Sequence, residues 1–344
     1  MKFNIMLRRL LFPISLIWWI VTCVRNFLYD KSLLKSYEIP HKSIVVGNLS
    51  VGGTGKTPMV IYLTKLLSDK HELQILSRGY GRKTYGYLLV NEDHTSIDVG
   101  DEPLLYFNKF KKNIAIAVSE NRSDGLQQLR KIQPKSVVIL DDAFQHRKIK
   151  VSFSVLLTTY NSLFSQDFLL PAGNLREGRS GAKRSDIIVV TKCPLNMTEI
   201  DKNIVKSALS KYNKPIYFSG ISYSDPISFG KSANCSKNVL LVTGIAKPEP
   251  LIEFLSETSK VEHFSYPDHH NFSANEIQKI HEKIDTFVSE NWSIITTEKD
   301  YMRLLPLKEK LGLSNYPWFY IPIEMKIENE NAFNQLIIDY VRTI

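Results

Sequence analysis

The sequence predicts an α/β protein: a mostly parallel sheet covered by helices, an apolar helix ahead of it, and a second, smaller α/β domain behind it. Three observations carry this reading. Apolar runs without polar alternation recur between amphipathic stretches, the pattern of strands buried on both faces. An uncharged run, Leu10–Val24, precedes the first of those strands. A Ser/Asn/Gly-rich stretch near Ile216–Lys237 divides the strand-like runs into two sets.

The opening run, LLFPISLIWWIVTCV, is followed by Asn26-Phe27-Leu28-Tyr29. No small-x-small cleavage site follows it, which argues against a removed secretory signal. A bilayer span takes about 20 apolar residues, and this uninterrupted run is shorter. Arg8 and Arg9 flank one side and Arg25, Lys31 and Lys35 the other, so charge asymmetry assigns no crossing direction. The run is read as an uncleaved helix lying in or dipping into a membrane interface, with Trp18 and Trp19 at headgroup level. A buried core helix and a true span are the other readings. This gives residues 1–37 to the membrane-associated helix, 38–219 to the core and 220–344 to the smaller domain.

In the core, Ser43–Asn48, Leu73–Ser77, Ile114–Ser119, Val137–Asp141, Val151–Thr158 and Ile187–Lys192 read as strands. Met59–Leu67 and Asp124–Ile132 read as helices between them. The second set is Val239–Gly244, Pro248–Glu257, Ala274–Ser289, Ser293–Thr297 and Trp318–Ile323, closed by a helix over Asn331–Ile344 that is free to pack back on the core. There is no internal repeat and no low-complexity segment.

Gly52-Gly53-Thr54-Gly55-Lys56-Thr57 follows the apolar strand Ile44–Val46 and opens a helix with Pro58 in its first turn, where proline is tolerated. Glycines let backbone N–H groups turn inward around phosphate oxygens, the helix N-terminus adds partial positive charge, Lys56 reaches the β- and γ-phosphates and Thr57 can hold Mg2+. Ser50 stands where such loops usually begin with glycine. Strand, loop, lysine, threonine and helix in register make the core P-loop NTPase-like, with ATP and Mg2+ as the expected cofactors. The apolar strand Val137–Leu140 ends in Asp141-Asp142, the place where such a loop needs a carboxylate for the magnesium shell.

Several classes are excluded or disfavoured. No Asn-Lys-x-Asp guanine-reading motif occurs; Thr191-Lys192-Cys193-Pro194 is the nearest shape and lacks the aspartate. Ser50-Val51 replaces the lysine that some membrane-partitioning ATPases place before the loop. Three scattered cysteines, Cys23, Cys193 and Cys235, make neither a disulfide framework nor a zinc site. The formal charge of +9 calls for an anionic partner. Seven Lys or Arg against two Asp or Glu in the first fifty residues concentrate over half of that excess at the apolar helix. That favours anionic lipid. No basic stretch interleaved with aromatics marks a nucleic-acid groove, and no segment marks a protein partner. A membrane-attached NTPase switch, and a P-loop kinase for another lipid or sugar, stay open on these residues alone.

Seven blocks, in order along the chain, resemble the tetraacyldisaccharide 4′-kinases, the lipid A 4′-kinase family of Gram-negative bacteria. They are Gly47–Pro58 (GNLSVGGTGKTP), Ser77–Arg82 (SRGYGR), Val99–Pro103 (VGDEP), Leu140–His146 (LDDAFQH), Pro171–Glu177 (PAGNLRE), Asp268–Phe272 (DHHNF) and Thr297–Asp300 (TEKD). Ala143 stands where a glycine is common, and Glu177-Gly178 where the family often has Glu-Pro. The resemblance implies transfer of the ATP γ-phosphate to the 4′-hydroxyl of an acylated glucosamine disaccharide 1-phosphate, at the cytoplasmic face of the bacterial inner membrane.

The resemblance also assigns roles. Asp101 matches the family's base for the hydroxyl proton, and His269, in preference to His270, the histidine that tunes it. Ser50, Gly52, Gly53, Thr54, Gly55, Lys56 and Thr57 form the nucleotide loop. Thr57, Asp141 and Asp142 hold Mg2+ and its water shell, with Glu177 as a further acid near the metal. Arg176 neutralises charge on the transferring group, because a planar guanidinium suits phosphate oxygens. Arg78 and Arg82 are expected ligands of the lipid 1-phosphate or of ATP. Glu298, Lys299 and Asp300 follow an apolar strand at a place that suits a site, without an assigned role.

Overall fold

The computed structural model describes residues 8, 10–39, 42–232, 234–287 and 291–342. Arg9, Val288 and Ser289, and Thr343 and Ile344 of the last helix, lie outside the described residues.

The first helix, α1 (Phe12–Asp30), is amphipathic in an inverted sense. Its buried residues are Ser15 and Thr22, while Phe12, Ile14, Leu16, Ile17, Trp18, Trp19, Ile20, Val21, Val24 and Phe27 are exposed. Ser15, Thr22 and Asn26 recur at helical spacing, so a polar stripe faces the protein. Ser15 Oγ donates to Leu169 O at 3.0 Å and accepts from Ala172 N, and Trp18 Nε1 donates to Arg176 O at 3.0 Å. Asn26 Nδ2 donates to Glu177 at 2.9 Å, and Arg147 pairs with Asp30 at the far end. The apolar face is left outward. Among the described residues this is one helix long and apolar enough to cross a membrane.

The core then alternates strand and helix: β1 (Ser43–Asn48), α2 (Lys56–Leu67), β2 (Leu73–Ser77), α3 (Asp101–Phe110), β3 (Ala115–Val118), α4 (Arg122–Ile132), β4 (Val137–Asp141), β5 (Phe153–Thr159), β6 (Ile187–Thr191), α5 (Glu199–Leu209) and β7 (Ile216–Tyr223). The chain continues through β8 (Asn238–Thr243), α6 (Glu249–Ser256), β9 (Lys260–Ser265), α7 (Ala274–Asp285), β10 (Trp292–Thr297), α8 (Glu298–Leu304), β11 (Trp318–Ile321), β12 (Ile323–Ile327) and α9 (Glu330–Arg342).

Nine strands form one sheet in the order β12-β7-β6-β5-β1-β4-β2-β3 plus the short strand Leu88–Leu89. It is parallel except at its two edges, where β12 and Leu88–Leu89 run antiparallel to their neighbours. Alternation within each strand feeds both faces. Ile44 and Val46 of β1 join a core with Met59, Leu63 and Tyr106 on one side, while Val45 joins Leu126, Leu129 and Leu209 on the other. A second sheet takes Ile227–Ser228, β11, β10, β8 and β9 in that order.

Two differences from the sequence reading have clear causes. The stretch taken as a boundary begins with β7, which adds to the core sheet between β6 and β12; its serines and glycine hide a strand whose pattern is not continuously apolar. The run Trp318–Ile323 splits at Pro322, which lacks an N–H for the ladder, into β11 of the second sheet and β12 of the first. The chain therefore returns to the core. Phe333, Ile337 and Val341 of α9, spaced by four, complete the cluster that contains Ile44 and Met59.

Candidate active site

The site gathers at the carboxyl ends of β1, β4 and β6, the crevice where open parallel sheets bind ligands. Gly55, at φ 85, caps α2 in the left-handed region, so the loop closes and the helix opens in one residue. Asn48 Nδ2 donates to Thr54 Oγ1 at 2.6 Å, and Thr191 Oγ1 donates to Thr54 O at 2.8 Å, fixing the loop from both sides.

Lys56 lies 3.7 Å from Asp142, and Arg176 Nη1 donates to both oxygens of the same carboxylate at 2.9 and 3.1 Å. Burial would raise the Asp142 carboxyl, but Lys56 and Arg176 outweigh it and hold it below its ordinary value. Asp141 is the reverse case. Burial and the neighbouring charges of Glu102 and Asp142 push it up to about 7. Ser77 Oγ donates to its Oδ2 at 3.0 Å, while its Oδ1 is buried without a partner. An orphaned carboxylate oxygen beside two further acids, next to a phosphate loop, fits a divalent cation delivered with the nucleotide. Among the described residues no group of three or more His, Cys, Asp or Glu is arranged to hold a metal by itself.

Asp101 opens α3 after Gly100 and is buried. Its Oδ2 accepts from His269 Nδ1 at 3.1 Å and from Arg303, and its Oδ1 accepts from Glu102 N. Burial alone would raise Asp101; the His269 hydrogen bond and the charges of Lys299 and Arg303 hold it well below the usual carboxylate range. The same hydrogen bond raises His269. His269 sits at φ 59, a conformation a β-substituted residue adopts only when its surroundings impose it, and its backbone N–H is held by Gly244 O. His270 instead turns to Glu276 at 3.0 Å, so His269 is the histidine at Asp101.

The nucleotide loop and this pair are joined by Glu102: Thr57 Oγ1 donates to it at 2.8 Å, and Lys299 pairs with it. Arg303 Nη1 reaches Asp300 at 2.6 Å and Gly244 O at 3.0 Å. Sequence reasoning missed Glu102 and Arg303, and left Lys299 and Asp300 without roles. The spacing of charge in Lys299, Asp300 and Arg303, four and three residues apart from the arginine, was the available signal, because an acid and an arginine one helix turn apart can pair and be buried together.

Two of the expected site residues are held by protein partners. The buried carboxylate of Glu177 accepts from Arg184 at 2.7 Å, from Gln145 at 3.2 Å and from Asn26 of α1. It is a strut between α1 and the core. Glu177→Gln is expected to lower stability by about 2 kcal/mol or more, because Arg184 loses its buried counter-charge, without changing the Mg2+ concentration for half-maximal activity. Denaturant titration and a Mg2+ titration check the two halves. Arg82 is the other. Its side chain is 2% exposed; Nε and Nη2 donate to Glu120 and Nη2 to Gly86 O, holding the loop after β2, while Nη1 is buried without a partner. Arg78 is exposed, near the buried Arg122 and near His146, whose imidazole burial pushes down to about 4, and stays available to an anion.

A parallel sheet with a phosphate loop, a strand-end carboxylate pair and a separate Asp–His pair linked to the loop threonine defines an ATP-dependent phosphotransferase. Residues 7–342 match the family described as tetraacyldisaccharide-1-P 4′-kinase. The chain belongs to that family. Tetraacyldisaccharide 4′-kinase of Flavobacterium psychrophilum is 46% identical over 98% of both chains, and that of Flavobacterium johnsoniae 42% identical over the same shares. The crystal structure of LpxK from Aquifex aeolicus in complex with ATP superposes with a TM-score of 0.76 at 30% identity, covering 97% of this chain and 99% of that one.

Proposed function

We propose that the chain transfers the γ-phosphoryl group of ATP to the 4′-hydroxyl of an acylated glucosamine disaccharide 1-phosphate, the kinase step of lipid A synthesis, with the Asp101–His269 pair accepting the hydroxyl proton. The observation that supports this is the chain of contacts from Thr57 through Glu102 to Asp101, which links a buried carboxylate to the phosphate loop. A sugar hydroxyl is a weak nucleophile, so proton removal must accompany attack on phosphorus. Both oxygens of Asp101 already accept hydrogen bonds, so the proton-accepting role belongs to the pair as a unit. The acceptor oxygen forms a bond to the γ-phosphorus, the bond to ADP breaks, and the hydroxyl proton passes to the pair.

Lys56 and Arg176 both rest on Asp142 and are placed to turn to phosphate oxygens. Thr57, Asp141 and Asp142 are the residues that would hold Mg2+, whose charge neutralises the β- and γ-phosphates. Arg78 is the candidate ligand for the 1-phosphate. Label from γ-labelled ATP appearing as the 4′-phosphate of detergent-dispersed disaccharide 1-phosphate is the expected result. ATP hydrolysis with no labelled lipid would instead support a membrane-bound switch.

The outward apolar face of α1 supports docking at the cytoplasmic face of the inner membrane, where a multiply acylated acceptor resides. Replacing Ile17, Val21 and Val24 together by Asn should weaken binding to anionic phospholipid vesicles by at least about tenfold, given roughly 1.5–3 kcal/mol for each apolar side chain buried. Transfer to detergent-dispersed acceptor should persist. Co-sedimentation at wild-type level would contradict this placement.

A further inference from the structure

Lys192 stands at the end of β6, two strands from β1, in the left-handed region at φ 57. That turn swings its side chain over the glycine loop: its Nζ lies 3.8 Å from where a Cβ on Gly53 would stand. The neighbouring Thr191 is tied to the same loop through Thr54 O. Two lysines of the site each have an acid, Lys56 with Asp142 and Lys299 with Glu102. No carboxylate pairs with Lys192 among the described residues; its charged neighbours are Lys247 and Lys299, and burial together with them depresses its amine. A half-buried cation facing only like charges is unfavourable unless an anion completes the site. The local sequence Thr191-Lys192-Cys193-Pro194 carries no base-reading aspartate, so the lysine has no partner for purine recognition.

We propose that Lys192 is a second lysine of the nucleotide site and binds the phosphate tail of ATP beside Gly53. The inference rests on the kinase reading only in taking ATP as the ligand. Ground-state contact with the tail makes it a binding residue, distinct from the Asp101–His269 pair.

The test compares full-length wild type, Lys192→Met and Lys192→Arg in detergent micelles. Equilibrium dialysis with Mg2+ and ATP, ADP or AMP, without acceptor, should show at least about tenfold weaker ATP and ADP binding in the Met variant, as expected for a lost charge-assisted hydrogen bond. AMP binding should change by less than about twofold, and the Arg variant should recover most of the loss. Turnover should show a raised KM for ATP with kcat within about threefold. Because nucleotide binding is read without lipid, absence of lipid phosphorylation in wild type would refute the kinase reading while leaving this test intact. Should the Met variant fail to fold, amine acylation of wild type followed by peptide mapping serves in its place: ATP, but not AMP, should protect Lys192. ATP affinity within twofold of wild type in a folded Met variant, or no protection of Lys192, would overturn the proposal.

Discussion

Asp101→Asn should lower phosphoryl transfer to the disaccharide by about 10²–10⁴-fold, the range spanned by positioned acid–base groups, while leaving ATP binding close to wild type. Asn keeps the shape and one acceptor oxygen, so His269 and the start of α3 hold their places. It removes the negative charge that fixes the His269 tautomer and that balances Arg303 inside the protein. The loss should therefore appear in kcat rather than in KM for ATP, because the P-loop contacts of Lys56 and Thr57 are untouched. Asp101→Ala should cost more in stability, since it opens a cavity as well. Label transfer to lipid, nucleotide dialysis and denaturant titration on the same preparations separate these effects. Transfer by the Asn variant within threefold of wild type would remove Asp101 from the chemistry.

How much of this was legible beforehand follows a physical rule. The P-loop, strands β1 to β6 and α9 were readable because each is local: continuous apolar runs, period-3.6 patterning, and a loop whose residues act together where they stand. Asp141 and Asp142 were readable as the end of an apolar strand. The partners of Glu177 were not legible because nothing in PAGNLREG says which way its carboxylate turns; Arg184 and Asn26, seven residues after and far before it, decide that. The partner of Arg82 was hidden for the same reason, Glu120 lying beyond the end of β3. The pairing of Arg303 with Asp300 is local, but its second acid, Asp101, comes from the start of α3 and could not be read from the sequence around Arg303. The inverted polarity of α1 shows the rule from the other side: its apolar run was plain, but that Ser15, Thr22 and Asn26 form the docking stripe emerges only once Leu169, Ala172 and Glu177 stand opposite.

That two-sided pairing makes Arg303 the other position of large effect. Its side chain is 3% exposed and lies between Asp101 and Asp300, which are 4% and 0% exposed. Arg303→Met keeps the aliphatic length and leaves two buried acids without their cation. Breaking a buried pair by removing one partner costs about 3–5 kcal/mol, and the loss here should lie in that range at neutral pH. Transfer should fall as well, because Asp101 loses one of the two groups that aim its Oδ2.

The pH dependence gives the pairing its signature. Asp101 is depressed in the folded state, so its contribution to stability is fully present above the unfolded carboxylate pKa of about 3.9. It is lost as pH falls through the depressed folded value. His269 is raised, so its own contribution is present below about 6.5 and is lost as pH rises through the raised value; removing the Arg303 charge, which opposes that rise, moves the loss to higher pH in the variant. Without Arg303, Asp101 keeps only His269 and Lys299 as partners and protonates at a higher pH than in wild type. The stability gap between wild type and Arg303→Met should therefore be wide at neutral pH and narrow as pH falls, because the variant's acids take up protons before those of the wild type. Denaturant midpoints measured from pH 3 to 7 test this, and a gap that stayed constant across the range would assign the loss to packing instead of to the buried charges.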